Sequence, residues 1–127
     1  MASLVQQKSF DFALKIIKLY SKLQGHREYV ISRQLLRSGT SIGANVTEAT
    51  AGQSRRDFLA KMSIASKEAR ETKYWLELSK HSELAPVDVA EELSDVEELI
   101  RILTSIVKTT AQNPAPAFVT QNLELKT

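Results

Sequence analysis

Glu91, Asp95 and Glu98 recur at steps of four and three residues, so they share one face of a helix. A row of carboxylates on a helix could hold metal. A di-iron bundle, however, needs Glu-x-x-His pairs on two helices. The only histidines are His26 and His81, and neither follows a glutamate by three. There is no cysteine, so disulfides and thiolate metal sites are excluded and a reducing cytoplasm is expected. Gly39-Thr40-Ser41-Ile42-Gly43 lacks the lysine of a phosphate-binding loop. No Ser/His/Asp grouping converges by spacing. The residues read as those of a non-enzyme, with no catalytic residue, cofactor or metal.

Binding chemistry is better represented. Lys8, Lys15, Lys18 and Lys22 form one stripe of a helical pattern, and Arg55 and Arg56 open another helix. All six could contact the phosphates of a nucleic acid. Two arginines at the positive end of a helix dipole call for an anion or carboxylate nearby. The competing reading is a solvated lysine face, with the arginines paired to Asp57 or to a carboxylate of another subunit. Residues 1–80 hold fourteen Lys/Arg against seven Asp/Glu, and residues 81–127 hold three against eight. A basic body with an acidic segment suits polyanion binding, and it equally suits helices that pair by opposite charge.

A second stripe runs through Ser38, Ser41, Asn45 and Glu48. The heptad that starts at Ile31 and Leu35 carries Ser38 and Asn45 into the seam. Buried polar groups need hydrogen-bond partners. The expected role is therefore a structural polar network of Arg37, Ser41, Asn45 and Glu48, with an arginine of another helix as the alternative basic partner, of the kind that fixes register and oligomer state. The competing reading is a binding or catalytic cluster.

Helical periodicity predicts the elements that carry these residues. The first helix runs from about residue 4 to Gln24, with Ser3 and Gln6 at capping-box spacing. Phe12, Ile16, Leu19 and Leu23 mark its inner face, widened by Ala13, Ile17 and Tyr20. Gly25 is placed to end it in a left-handed conformation. The second helix covers Arg27 to about Ala51. Its Gly39 and Gly43 leave a shallow groove, and the small Ala65, Ala69 and Thr72 are the expected filling. Ser54 and Asp57 cap a third helix over residues 55–82. Pro86 suits the first turn of a fourth. Ile64, Trp75 and Leu78, and then Leu99, Ile102 and Ile106, lie off the main seams and predict self-association, although the wide apolar arc of the fourth helix equally suits a place central to the bundle. The fold class is all-α, an antiparallel up-down-up-down four-helix bundle over residues 1–112.

The chain of 127 residues suits one domain. No apolar run approaches the roughly 20 residues that span a bilayer, and the start lacks a signal-peptide core. A soluble cytoplasmic protein with no membrane contact is expected. Asn113-Pro114-Ala115-Pro116 breaks the pattern, and residues 113–127 read as a flexible tail whose Phe118, Leu123 and Leu125 could dock on a neighbour.

The run Arg37-Ser38-Gly39-Thr40-Ser41-Ile42-Gly43-Ala44-Asn45-Val46-Thr47-Glu48-Ala49 resembles the family pattern R-x-x-x-S-I-x-x-N-I-x-E-G. Arg56-Asp57-Phe58-Leu59 and Ala65-Ser66-Lys67-Glu68-Ala69-Arg70-Glu71-Thr72 extend the likeness over about residues 8–110. The chain is similar to the four-helix-bundle proteins encoded by intervening sequences of bacterial 23S ribosomal RNA. That family resembles in turn the accessory proteins of diversity-generating retroelements. Ala49 stands where the family prefers glycine. The resemblance implies a homo-oligomer, a pentameric barrel. Through the accessory branch it implies binding of RNA or DNA together with a reverse transcriptase. By the same likeness Arg37, Ser41, Asn45 and Glu48 are signature positions. The expected function is a nucleic-acid-binding accessory factor. The alternative is an oligomeric protein-interaction scaffold without nucleic acid.

Overall fold

The computed structural model describes residues 3–112, which form four helices: α1 Leu4–Gly25, α2 Ile31–Thr50, α3 Arg55–Ser82 and α4 Ala90–Gln112. The expectation for residues 113–127 lies outside the described residues. Each helix packs on its neighbour in the chain, and α1 also meets α4, so the four close into a bundle.

Side-chain register fixes the directions. On α1 and α2, Gln6 meets Thr50 while the Gln24 amide meets Ser32. On α2 and α3, Glu48 pairs with Lys61 while Ser38 meets Thr72. On α3 and α4, Arg55 reaches Thr110 while Arg70 reaches Thr104. On α1 and α4, Lys8 pairs with Glu98 while Lys15 pairs with Glu91. Numbers rise on one helix as they fall on the next, so every adjacent pair is antiparallel.

The inner stripes form one core. Phe12, Ile16 and Leu23 of α1 meet Leu35, Ile42 and Val46 of α2, Met62 and Leu76 of α3, and Val96, Leu99 and Leu103 of α4, all fully buried. Each such side chain contributes about 1.5–3 kcal/mol by leaving water. Trp75, Leu78, Ile102 and Ile106 are partly buried against this core and Leu99 lies inside it. Most of the off-seam residues of α3 and α4 therefore complete the core, while Ile64 stays exposed.

The caps follow local chemistry. Ser3 and Gln6 exchange the two bonds of a capping box, and Ser54 accepts from the Asp57 amide. Two helix starts differ from the periodicity. Helix α2 begins at Ile31, not Arg27, because the buried Glu28 carboxylate accepts from the amides of Val30, Ile31 and Ser32 at 2.7–3.0 Å. Arg27 is the left-handed residue of that turn, with φ 62°, and Gly25 remains helical. Helix α4 begins at Ala90, not at Pro86, because Asp88 accepts from the Ala90 amide and Val89 is an apolar anchor in the core.

The glycine groove is filled by α1, not by Ala65, Ala69 and Thr72 of α3. A Cβ on Gly43 would stand 3.3 Å from the Ser9 carbonyl oxygen, and one on Gly39 would meet Ile16. The glycines let the α1 and α2 backbones approach closely, which offsets their low helix propensity of about 1 kcal/mol each.

Candidate interaction surfaces

The stripe of four lysines on α1 divides. Lys8 Nζ lies 3.0 Å from Glu98, and Lys15 Nζ lies 2.7 Å from Glu91 and 2.6 Å from Asp95. The row Glu91, Asp95 and Glu98 thus faces α1 and neutralises half of its basic stripe. Hydrogen bonds to Asp95 and then Glu91 hold Lys15 charged well above the ordinary lysine range. The hydrogen bond from Lys15 holds Glu91 below the usual carboxylate range. Glu92, half-buried, is pushed up by burial. Lys18 and Lys22 are exposed.

The two arginines of α3 also part. Arg55 Nη2 donates to the carbonyls of Thr110 at 2.6 Å and Ala111 at 3.1 Å. It caps the negative C-terminal end of α4, the arrangement the helix dipole favours. That contact meets the electrostatic need that pointed to an anion, and the pairing with Asp57 is not needed. Arg56 is exposed.

Arg37, Ser41, Asn45 and Glu48 do not form one network. Arg37 crosses to α3 and pairs with Glu68 at 3.3 Å and with Glu71. Asn45 Nδ2 donates within α2 to the Ser41 carbonyl and hydroxyl at 2.9 and 3.1 Å. Glu48 pairs with Lys61 at 3.0 Å. The buried polar contact of the seam is Ser38 with Thr72. Thr72 Oγ1 lies 2.9 Å from Ser38 Oγ and 2.8 Å from the Glu68 carbonyl. Thr72 has one hydroxyl proton, so Ser38 supplies the proton for one of these two bonds.

Two surfaces were missed by periodicity. Phe10, Leu14 and Ile17 are 60%, 46% and 46% exposed and line one outer face of α1. Ile17 therefore does not belong to the inner face. The 4-3 spacing of these residues was the available signal. Phe10 also lines, with Gln6 and Ala13 of α1 and Thr40, Gly43 and Ala44 of α2, a hollow of about 300 Å³. The second surface is the outer furrow between α3 and α4, where Arg70 donates to Thr104 at 3.4 Å.

No group of three or more His, Asp or Glu among the described residues could hold a metal ion. None of the described helices is long and apolar enough to cross a membrane.

A four-helix bundle with this α2 signature defines a class, and comparison with known families agrees. Residues 2–105 match the model of the 23S rRNA-intervening sequence protein family. The chain belongs to that family. Among solved structures it is similar to a protein of unknown function from the S23 ribosomal protein family of Bacteroides thetaiotaomicron VPI-5482, at 47% identity and a TM-score of 0.78. The match covers 83% of this chain and 99% of that one. No curated protein matches.

Proposed function

We propose that the chain is a non-enzymatic bacterial protein that acts in the cytoplasm as a self-associating module, with a second copy of itself as first partner. The exposed row of Phe10, Leu14 and Ile17 carries this reading. Three large apolar side chains on one helix face cost solvation unless a partner covers them. Phe10 of the ridge walls one side of a hollow that Ala13, Gly43 and Ala44 also line, so the ridge of one copy can seat against the hollow of the next. Repeated head to tail, such a contact closes into a ring when its rotation divides a full turn evenly, and otherwise builds an open filament. The family likeness favours a ring of five. Light scattering on the purified chain tests this. A mass of several times 14.2 kDa is expected, and a monomer at all concentrations rejects the reading.

Nucleic-acid binding is a second reading, with the 23S rRNA context in the family's name as support. The original set of six cations is reduced. Lys8 and Lys15 are neutralised by α4 and Arg55 caps it, which leaves Lys18, Lys22 and Arg56 on the surface. Steep weakening of RNA or DNA binding with added salt is the expected behaviour. Absence of binding at low salt rejects this reading and leaves the scaffold. A reverse transcriptase as protein partner rests on the retroelement likeness alone, and co-purification of the two chains tests it.

A further inference from the structure

Tyr74 is an exposed aromatic held in place from behind. It is 58% exposed, yet its ring packs edge-on against Trp75 with centroids 5.2 Å apart. The Trp75 indole donates to Glu71 Oε2 at 2.9 Å, and that carboxylate is held in turn by Arg37 of α2. The chain Arg37–Glu71–Trp75 braces Tyr74 while one side of the tyrosine stays open to solvent. An exposed ring with reduced freedom makes a stacking platform, because little entropy remains to be lost on contact.

Cations surround this platform. Lys67, Arg70 and Tyr74 follow one another at 3-4 spacing on the outer arc of α3, and Arg101, Thr104 and Lys108 do so on α4. The contact from Arg70 to Thr104 sets the two arcs side by side. Lys67, Arg70, Arg101 and Lys108 are exposed and have no carboxylate within ion-pair distance among the described residues. The nearby acids Glu68 and Glu71 are engaged by Arg37. Glu77, 3.3 Å from His81, and Glu97, one turn before Arg101, are the acids that remain near the furrow. The contrast with α1 is direct, since there α4 supplies the counter-charges and here it supplies cations.

We propose that the outer furrow between α3 and α4 binds single-stranded nucleic acid, with a base stacked on Tyr74 and the backbone on Arg70, Arg101 and Lys108. This rests on the nucleic-acid reading and moves its site away from the lysines of α1. A single strand fits because its bases offer free faces, whereas a duplex keeps its faces stacked internally. Arg37 then has a positioning role, acting through Glu71 and Trp75 on the platform.

The test uses the full chain, which has one tryptophan, and an oligouridylate long enough to cross both helices. Affinity is followed by anisotropy of labelled oligonucleotide, and occupancy by Trp75 fluorescence. Saturable quenching is expected, with weakening of about tenfold for Tyr74→Ala and little change for Tyr74→Phe. Arg101→Gln and Lys108→Gln should each reduce the salt slope by about 0.7, the single-strand value per phosphate. Circular dichroism of each variant confirms the fold. Absence of binding to any nucleic acid overturns both this site and the reading beneath it. Binding that survives Tyr74→Ala and Arg101→Gln but is lost with Lys18→Gln and Lys22→Gln keeps the reading and overturns this site. Polyglutamate bound as tightly as the oligonucleotide points to an acidic protein instead, and also overturns it.

Discussion

Ile16 closes over Gly39: a Cβ placed on that glycine would stand 2.8 Å from Ile16 Cγ2 and 2.9 Å from Cγ1. Both residues are buried, and Ile16 is branched at Cβ with both γ carbons at the contact, so a χ1 rotation does not clear it. The glycine-rich segment of α2 therefore serves helix packing and offers no ligand a loop.

Gly39→Ala should destabilise the chain by about 1 kcal/mol net. Overpacking of about 1–3 kcal/mol outweighs a helix-propensity gain of about 1 kcal/mol. Urea denaturation measures it. In the Gly39→Ala background, Ile16→Ala should cost less than it does alone, because it removes both clashing carbons. Simple additivity of the two changes would show that the contact is not the cause.

Sequence patterns carried the helix caps and the core well because those signals are local. Ser3 with Gln6 and Ser54 with Asp57 lie three residues apart, and the caps form as their spacing predicts. The start of α2 was hidden because Glu28, a good helix former, spends its carboxylate on the three amides after it. The fate of the lysines was hidden for another reason. Lys8 and Lys15 find acids more than 70 residues away, and a charge stripe alone does not say which neighbour it meets. Arg37 finds its partners on α3 and not in Asn45 or Glu48, because a stripe of polar residues on α2 does not say which helix it meets. The filling of the glycine groove was misassigned because α1 and α3 both offer small or narrow surfaces, and volume alone cannot choose between them.

Glu28→Ala should lower stability by about 2 kcal/mol, since it leaves amides at the start of α2 without an acceptor in a buried turn. Glu28→Gln keeps one acceptor oxygen and should recover part of the loss. Equal stability of the two variants in chemical denaturation would contradict the capping role.

Glu91 and Glu92 should respond to acid in opposite directions. Glu91 is depressed below its ordinary value of 4.5 by Lys15, so its contribution is present above that value and lost as pH falls through the folded value. Glu92 is raised by burial, so its charge opposes folding at neutral pH and protonation relieves the cost. Glu92→Gln should therefore raise the melting temperature at pH 7, with the gain shrinking near pH 4. A gain that grows on acidification would contradict this sign.

Ser38→Ala removes a hydroxyl from the buried contact with Thr72 and should cost about 1 kcal/mol. With Thr72→Val in the same chain, the cost should shrink, because both polar partners are then gone. Thermal unfolding of the two single variants and the double variant measures the coupling, and a coupling of zero would place the pair outside the energetics of the α2–α3 seam.

Phe10→Glu with Leu14→Glu tests the α1 contact face most directly. Both side chains point to solvent within one copy, so the fold should survive. Light scattering should show the parent chain as an oligomer of 14.2 kDa units and the double variant as a folded monomer. A double variant of unchanged mass, or a parent chain already monomeric, would contradict the account.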